Sequence, residues 1–421
     1  MKIAIIGAGF TGLSAGYRLS KKGHEVTVIE KDNFPGGLAV GYQEDKWEWS
    51  VEKHYHHWFT NDYSVLNLAK EINHKVYTII PETNWFVKGK IYKFVSLKAA
   101  LTFPLLTPLE RIRQLLVLGL LRLNPFWQIL ERYETNKAIP KLMGKKIYSL
   151  LWESILKNKF GKYADDISLA WFWARIKKRT IALSYPEGGF LSFADHLVKE
   201  IEKNGGKVLF NREIVSLLEN KDKSIAITSN SKKETFDRVI VTLPSFLFLK
   251  IAPQLPDEYK KKLIKLKGLG ATNLVLRLNK PFFSDNTYWL SVADITSPIM
   301  AIVEHTNFMD KIHYNNEHLV YLGNYLGADE KKFLMDKEQL LKLFDPFLRK
   351  INPEYHENLI GYELFKAPFA QPIIPTNYSK FIPPFTTPFN NVYLANIEQV
   401  YPWDRGTNYA VELGEKIAKI I

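Results

Sequence analysis

The chain opens on an apolar run, Ile3-Ala4-Ile5-Ile6, without the alternation of a half-exposed strand. Such a run predicts a strand covered on both faces. A glycine-rich turn follows, Gly7-Ala8-Gly9-Phe10-Thr11-Gly12, and then a helical pattern over about 12–22 that Gly23 stops. Glu25-Val26-Thr27-Val28-Ile29 predicts a second buried strand, with Glu30 at its carboxyl end. The far end of the chain repeats the theme. Val392-Tyr393-Leu394-Ala395 reads as a strand, Gly406 as a turn glycine and 408–421 as a helix. Ala410, Leu413, Ile417 and Ile420 fall on one stripe of that helix.

Between these ends the pattern changes. Residues 109–123, 145–157 and 167–179 carry helical apolar spacing with few glycines. Thr272-Asn273-Leu274-Val275-Leu276-Arg277-Leu278 partly alternates, like a strand facing a cavity; 318–322 predicts another strand and 339–349 a helix. Ile382-Pro383-Pro384-Phe385, with Pro388, reads as an irregular return. No internal repeat or low-complexity segment is evident. The expected fold is α/β: a Rossmann-type nucleotide-binding domain, discontinuous over 1–80, 190–245 and 386–421, interleaved with an α+β substrate domain over 81–189 and 246–385.

The first glycines have separate physical jobs. Gly7 permits the turn out of the strand, Gly9 lets backbone approach a pyrophosphate, and Gly12 lets the helix pack on the sheet. The helix presents its free N–H groups and positive dipole end to phosphate. Glu30 is placed to accept hydrogen bonds from ribose hydroxyls and would repel a 2′-phosphate, which disfavours NADP. Strand, turn, helix, strand and acid at this spacing point to a dinucleotide, NAD or FAD.

A second glycine loop, Pro35-Gly36-Gly37-Leu38-Ala39, favours FAD. It resembles the second glycine pair of a flavoprotein superfamily that includes amine oxidases, protoporphyrinogen oxidases, phytoene desaturases and UDP-galactopyranose mutases. The resemblance continues in blocks: WSVEKHYHHWFTND at 49–62, Tyr185-Pro186-Glu187-Gly188-Gly189-Phe190, Val239-Ile240-Val241-Thr242-Leu243-Pro244 and Arg405-Gly406-Thr407-Asn408-Tyr409-Ala410. It implies an FAD site built from Gly7, Ala8, Gly9, Phe10, Thr11, Gly12, Glu30, Lys31, Gly36, Gly37, Leu38, Ala39, Ile214, Thr242, Asn396, Arg405, Thr407, Asn408, Tyr409 and Ala410. Ile214 would offer its backbone to adenine. The last helix would start at the flavin, where its positive end favours the negative charge of the reduced ring.

For chemistry the resemblance points to His56, which aligns with a histidine that lies beside the isoalloxazine in the mutases. Asn273 falls where many amine oxidases carry a lysine that bridges through water to flavin N5, which argues against ordinary amine oxidation. Trp403 and Tyr401 precede the last helix and could wall a substrate cavity by stacking. Asp404 and Arg405 adjoin in sequence, and Arg405 could hold cofactor phosphate or a substrate carboxylate. Two further departures are Leu38, where many oxidases have arginine, and Ala395-Asn396 in place of Gly-Asp. They pull towards the protoporphyrinogen-oxidase-like and mutase-like branches. The leading expectation is an FAD-dependent oxidoreductase that takes hydride from a C–C or C–N bond of an apolar or isoprenoid-like small molecule. The alternatives are a non-redox mutase on a sugar-nucleotide, with Arg175, Arg277 and Arg405 as diphosphate clamps, and an FAD-retaining binding protein.

Composition adds limits. The 421 residues contain no cysteine, so catalytic thiols, zinc–thiolate sites and cysteine-linked flavin are excluded. His54, His56 and His57 lack the partners that would complete a metal site. The formal charge of +13 comes without a nucleic-acid-binding motif, so nucleic acid is not expected as a partner. Residues 1–6 are strand, not a leader, and the expected compartment is the cytoplasm. Residues 97–127 carry many leucines, but the charge-free core, 114–121, is too short to span a bilayer. They read either as a buried helix pair or as a surface for peripheral membrane contact.

Overall fold

The computed structural model describes residues 1–93, 96–230 and 232–421. Its opening unit is β1 (Lys2–Ile6), α1 (Phe10–Lys21) and β2 (Glu25–Ile29). Extended Gly9 is the helix N-cap and its carbonyl accepts from Leu13 N at 2.9 Å, so α1 starts at Phe10 rather than at Gly12. The chain returns to this sheet three times, after α2 (Gly189–Lys203) with β3 (Lys207–Leu209), then with β4 (Arg238–Val241) and β5 (Val392–Leu394). The order is β3-β2-β1-β4-β5 and every pairing is parallel. This is the strand order of a dinucleotide-binding sheet.

The terminal helix, α3 (Thr407–Ile420), packs on α1. A Cβ at Gly414 would stand 2.4 Å from Thr11 O, so the two backbones touch. Ser14 Oγ donates to Val411 O at 3.0 Å, and Arg18 is paired with Glu415. The two ends of the sequence therefore form one layer over the parallel sheet.

A second sheet of seven strands supplies the other half. Its order is Leu359–Pro372, Gly268–Leu278, His318–Leu326, Ala301–Glu304, Thr287–Ala293, Glu82–Val87, Lys90–Lys93. All pairs are antiparallel except Thr287–Ala293 with Glu82–Val87. The strand expected over 272–278, with partial alternation, runs over Gly268–Leu278 and is buried almost throughout, between the edge strand Leu359–Pro372 and His318–Leu326.

Helices over 97–178 cover one side. The helix expected over 145–157 is not continuous: a π-helical turn at Tyr148–Trp152 separates Lys145–Ile147 from Glu153–Phe160. Residues 97–127 do form two neighbouring helices, Leu97–Leu101 and Pro108–Leu123, but the pair is not buried. In Pro108–Leu123 only Gln114 and Leu121 are buried, while Leu109, Ile112, Leu116, Leu120 and Leu123 are exposed. No helix among the described residues is long and apolar enough to cross a membrane.

Candidate functional site

The two glycine loops meet over the carboxyl ends of β1 and β2. Gly36 N donates to Ala8 O at 2.9 Å, and Gly9 and Gly36 form a parallel bridge. A Cβ on Gly37 would lie 3.1 Å from Gly9 Cα, and Gly37 has φ of 59°, so the close approach of the two loops calls for glycine at 37. Gly7 and Gly36 hold φ of 105° and 115°, values that L side chains avoid. A Cβ on Gly12 would fall 2.0 Å from Gly7 O. Thr242 Oγ donates to Ile6 O at 2.8 Å and packs under Gly7, bracing the turn from the neighbouring strand. Phe10 stacks on Phe193 with ring centres 5.6 Å apart, and Thr11 and Ala39 are buried.

Glu30 stands at the end of β2, as expected. Its Oε2 accepts from Ala8 N at 2.8 Å, which joins the acid to the glycine turn. The backbone of Glu30 bonds to Leu209 and Arg212, and this brings the segment leading to buried Ile214 alongside. Lys31 points away and pairs with Asp32 at 2.8 Å. Clear backbone space at Gly9, free N–H groups at the start of α1 and a carboxylate at the next strand end can hold a dinucleotide.

The start of α3 faces the same region. Trp58 Nε1 donates to Thr407 Oγ1 at 2.7 Å, and Asn408 Oδ1 accepts from Val65 N at 3.2 Å. The histidine-rich segment and the helix start are thus held together, and the first N–H groups of α3 have no acceptor within the helix. Tyr409 is buried and Ala410 half-buried on the same turn. Asn396 is spent internally: its Nδ2 donates to Leu243 O at 3.0 Å and Glu398 at 2.8 Å, and its Oδ1 accepts from Glu398 N.

A small cavity lies next to these elements, lined by Leu38, His54, Tyr55, His56, Ala271, Asn273, Asn324, Tyr325, Ala370 and Arg405. Leu38 comes from the second glycine loop and Arg405 from the turn into α3, so the cavity shares walls with the cofactor region. Asn273 Nδ2 meets His54 Nδ1 at 2.6 Å, and His56 Nδ1 bonds to the His54 carbonyl. Burial holds the His54 imidazole down to about 3 and the His56 imidazole down to about 4. His57 is held to about 3 by the same cause and bonds to Tyr288 OH at 3.0 Å. All three rings are neutral at physiological pH. Burial pushes the Tyr55 phenol up to about 12, while Arg405 drops only to about 10 and keeps its charge. Asn273 Oδ1, on the cavity side of its strand, is buried without a protein partner.

The structure brings together His56, Asn273 and Arg405 but sets Trp403 apart. The Trp403 ring stacks on Trp173 at 5.3 Å and Tyr409 at 6.1 Å, beside a separate cleft that Tyr401, Phe385 and Leu413 also line. Arg277 leaves the set of candidate clamps: Glu317 and Glu44 hold it, both at 2.7 Å, against Trp47. Asn324 and Tyr325 gave no local signal in the sequence. They reach the site through register alone, opposite Thr272 and Ala271. Among the described residues no cluster of His, Asp and Glu has metal-binding geometry.

The family model for flavin-containing amine oxidoreductases matches residues 10–399. A coproporphyrinogen III oxidase from Staphylococcus aureus is 23% identical over 291 residues, 59% of this chain and 61% of that enzyme. A 4,4'-diapophytoene desaturase of the same species is 62% identical over 45 residues, 11% of this chain and 9% of that one. The matches therefore span less than two thirds of either relative. Among solved structures, an oxidoreductase from Methanosarcina mazei superposes with a TM-score of 0.77 at 19% identity over 100% of both chains. A putative protoporphyrinogen oxidase from Exiguobacterium follows at 0.76 and 15%, over 99% of this chain and 98% of that one. A putrescine oxidase bound to putrescine superposes at 0.76 and 14%, over 100% and 98%.

Proposed function

Because the chain belongs to the flavin-containing amine oxidoreductase family, with FAD as its cofactor, we propose that it oxidises a largely apolar small molecule. The reaction is dehydrogenation of a C–C or C–N bond to C=C or C=N: a C–H would give up hydride to the bound flavin, and the adjacent carbon or nitrogen would lose a proton to solvent. The observation that carries this reading is the cavity that joins Leu38 and Arg405, from two cofactor-region segments, to His54, His56 and Asn273. Bound FAD supplies a two-electron acceptor for hydride at N5. Gly7, Gly9, Gly12, Gly36 and Gly37 would hold its pyrophosphate, Glu30 the adenosine ribose, Ile214 the adenine edge, and the N–H groups opening α3 the flavin end.

The chain's own groups orient substrate and exclude water. Neutral His54 and His56 can share hydrogen bonds with a substrate without placing a second charge in the cavity. Leu38, Ala271 and Ala370 give it apolar walls. Asn273 offers an amide where an ammonium would serve amine oxidation. The names of the two relatives, a coproporphyrinogen III oxidase and a 4,4'-diapophytoene desaturase, support a substrate with a large hydrocarbon framework. The mutase alternative needs arginines for a diphosphate and has lost Arg277 to Glu44 and Glu317.

We infer that such a substrate reaches the site from a membrane surface. Leu116, Leu120 and Leu123 are 62%, 69% and 79% exposed, and Leu109 and Ile112 continue the stripe along one face of the helix. Phe126, Ile129 and Tyr133 extend it past the helix end. An apolar face of this kind on a basic protein fits the surface of an anionic bilayer.

The purified protein should show the absorbance of oxidised flavin. Anaerobic addition of isoprenoid polyenes or porphyrinogens should bleach it. Bleaching by simple amines alone would overturn the substrate class, and a spectral change with UDP-sugars alone would replace the reading with the mutase one. Absence of flavin absorbance would remove the cofactor assignment.

A further inference from the structure

Behind Arg405 the structure gathers more positive charge than it neutralises. Lys159, at the end of the Glu153–Phe160 helix, has a side chain only 6% exposed. Its Nζ lies 3.5 Å from Asp404 Oδ2, and Arg175 Nη1 lies 3.2 Å from the same oxygen. Gln371 ties the group together, donating to Asp404 Oδ1 at 3.4 Å and accepting from Arg405 Nε at 3.1 Å. Among the described residues Asp404 is the one carboxylate within ion-pair distance of these cations, and Arg405 has none. Burial lowers the Lys159 ammonium well below the usual lysine range, so the lasting positive charge is that of the two guanidiniums, of which Asp404 pairs with Arg175 and leaves Arg405 without a carboxylate.

The walls are aromatic. The Lys159 ammonium sits 5.1 Å from the ring centres of both Trp171 and Tyr325, and the Arg405 guanidinium 5.1 Å from Tyr325. Arg175 lies 5.2 Å from the Trp171 ring. Ring faces offset some of the cost of burying cations, but they do not neutralise them. Arg405 turns into the cavity. Buried donors with surplus positive charge, opening on a cavity, match an oxyanion in charge and hydrogen bonding.

We propose that Lys159, Arg175 and Arg405 form a subsite for an anionic group of the substrate, a carboxylate or a phosphate. This rests on the function proposed above and narrows it to an apolar molecule that carries an acid. A cationic amine would meet like charge there.

The test uses the FAD-loaded protein and simple probes: benzoate, phenyl phosphate, neutral benzamide and benzylamine, each titrated against the flavin spectrum. One of the two anions should bind at least ~10-fold more tightly than benzamide, and the tighter anion identifies carboxylate or phosphate. Arg175→Gln should weaken that anion by ~10-fold or more and leave benzamide unchanged. Arg175 is half exposed, so this variant keeps the question answerable if Lys159→Met does not fold. Equal binding of benzamide and the anions, tighter binding of benzylamine, or an unchanged anion affinity in Arg175→Gln would overturn the subsite. A protein without flavin absorbance would instead overturn the cofactor reading. Equilibrium dialysis of the same probes against the flavin-free chain would then decide the subsite by the same criteria.

Discussion

At the scale of single residues, the glycines separate folding from cofactor binding. A Cβ on Gly12 would meet Gly7 O at 2.0 Å, whereas one on Gly9 would have only Gly37 Cα near, at 3.8 Å. Gly9 also has φ of −71°, which alanine adopts without strain. Gly12→Ala should therefore cost ~1–3 kcal/mol or more by forcing helix from strand. Gly9→Ala should melt like wild type without FAD yet retain no FAD through gel filtration, because its methyl group fills the cradle. Equal melting of the two flavin-free variants would refute the division of roles. The histidines carry a second prediction. His56 titrates at about 4 in the folded chain and near 6.5 when unfolded, so the unfolded chain binds more protons between those values. Its stabilising contribution is full above pH 6.5 and is lost as pH falls towards 4, roughly 3 kcal/mol in all. His56→Gln should flatten the acid limb of a urea-unfolding series by about that amount. Parallel limbs would show that the ring is not buried neutral.

At the scale of elements, what the sequence made legible was self-contained. β1, α1, β2 and α3 each carry their own apolar period and end signals, and each forms within two residues of its expected bounds. The cavity was less legible because it is a product of register. Tyr325 faces it only because Ala271 pairs with Tyr325 and Asn273 with Gly323, and no local pattern encodes that pairing. Lys159 carries no local signal either; the packing of Trp171 and Tyr325 over it buries it. Glu52 was equally silent. It is fully buried, accepts from Tyr185 OH at 2.8 Å and from Phe190 N at 2.9 Å, and so pins the Leu183–Pro186 strand and the start of α2 to its own strand. Burial raises it from 4.5 to about 7. The folded chain then binds the extra proton, so this contribution is complete below pH 4.5 and is lost as pH rises through 7. The cost of ionising it is roughly 3 kcal/mol. Glu52→Gln should close the gap: relative to wild type, the variant should gain stability as pH goes from 5 to 8. A pH-independent difference would mean that the carboxylate is already charged in the fold.

At the scale of the whole molecule, the apolar helix face and the net charge of +13 make one prediction together. The Pro108–Leu123 helix is held down by its polar ends. Thr107 and Glu110 form a capping box, Lys146 pairs with Glu110 at 2.8 Å, and Arg122 donates to the carbonyls of Ile176 and Arg179. Its leucines are therefore free to face outward without loosening the helix. A helix lying flat on a bilayer gains from apolar burial and from attraction between basic side chains and anionic lipid, and only the second part is screened by salt. The protein should sediment with phosphatidylglycerol vesicles at low salt, more weakly at high salt, and more weakly with phosphatidylcholine alone. Leu116→Glu with Leu120→Glu should abolish sedimentation while leaving flavin absorbance and melting unchanged, since both positions are exposed. No binding of wild type at low salt would overturn the membrane assignment. A dimer in lipid-free solution that dissociates in the double variant would also overturn it, by giving the stripe to a second copy of the chain.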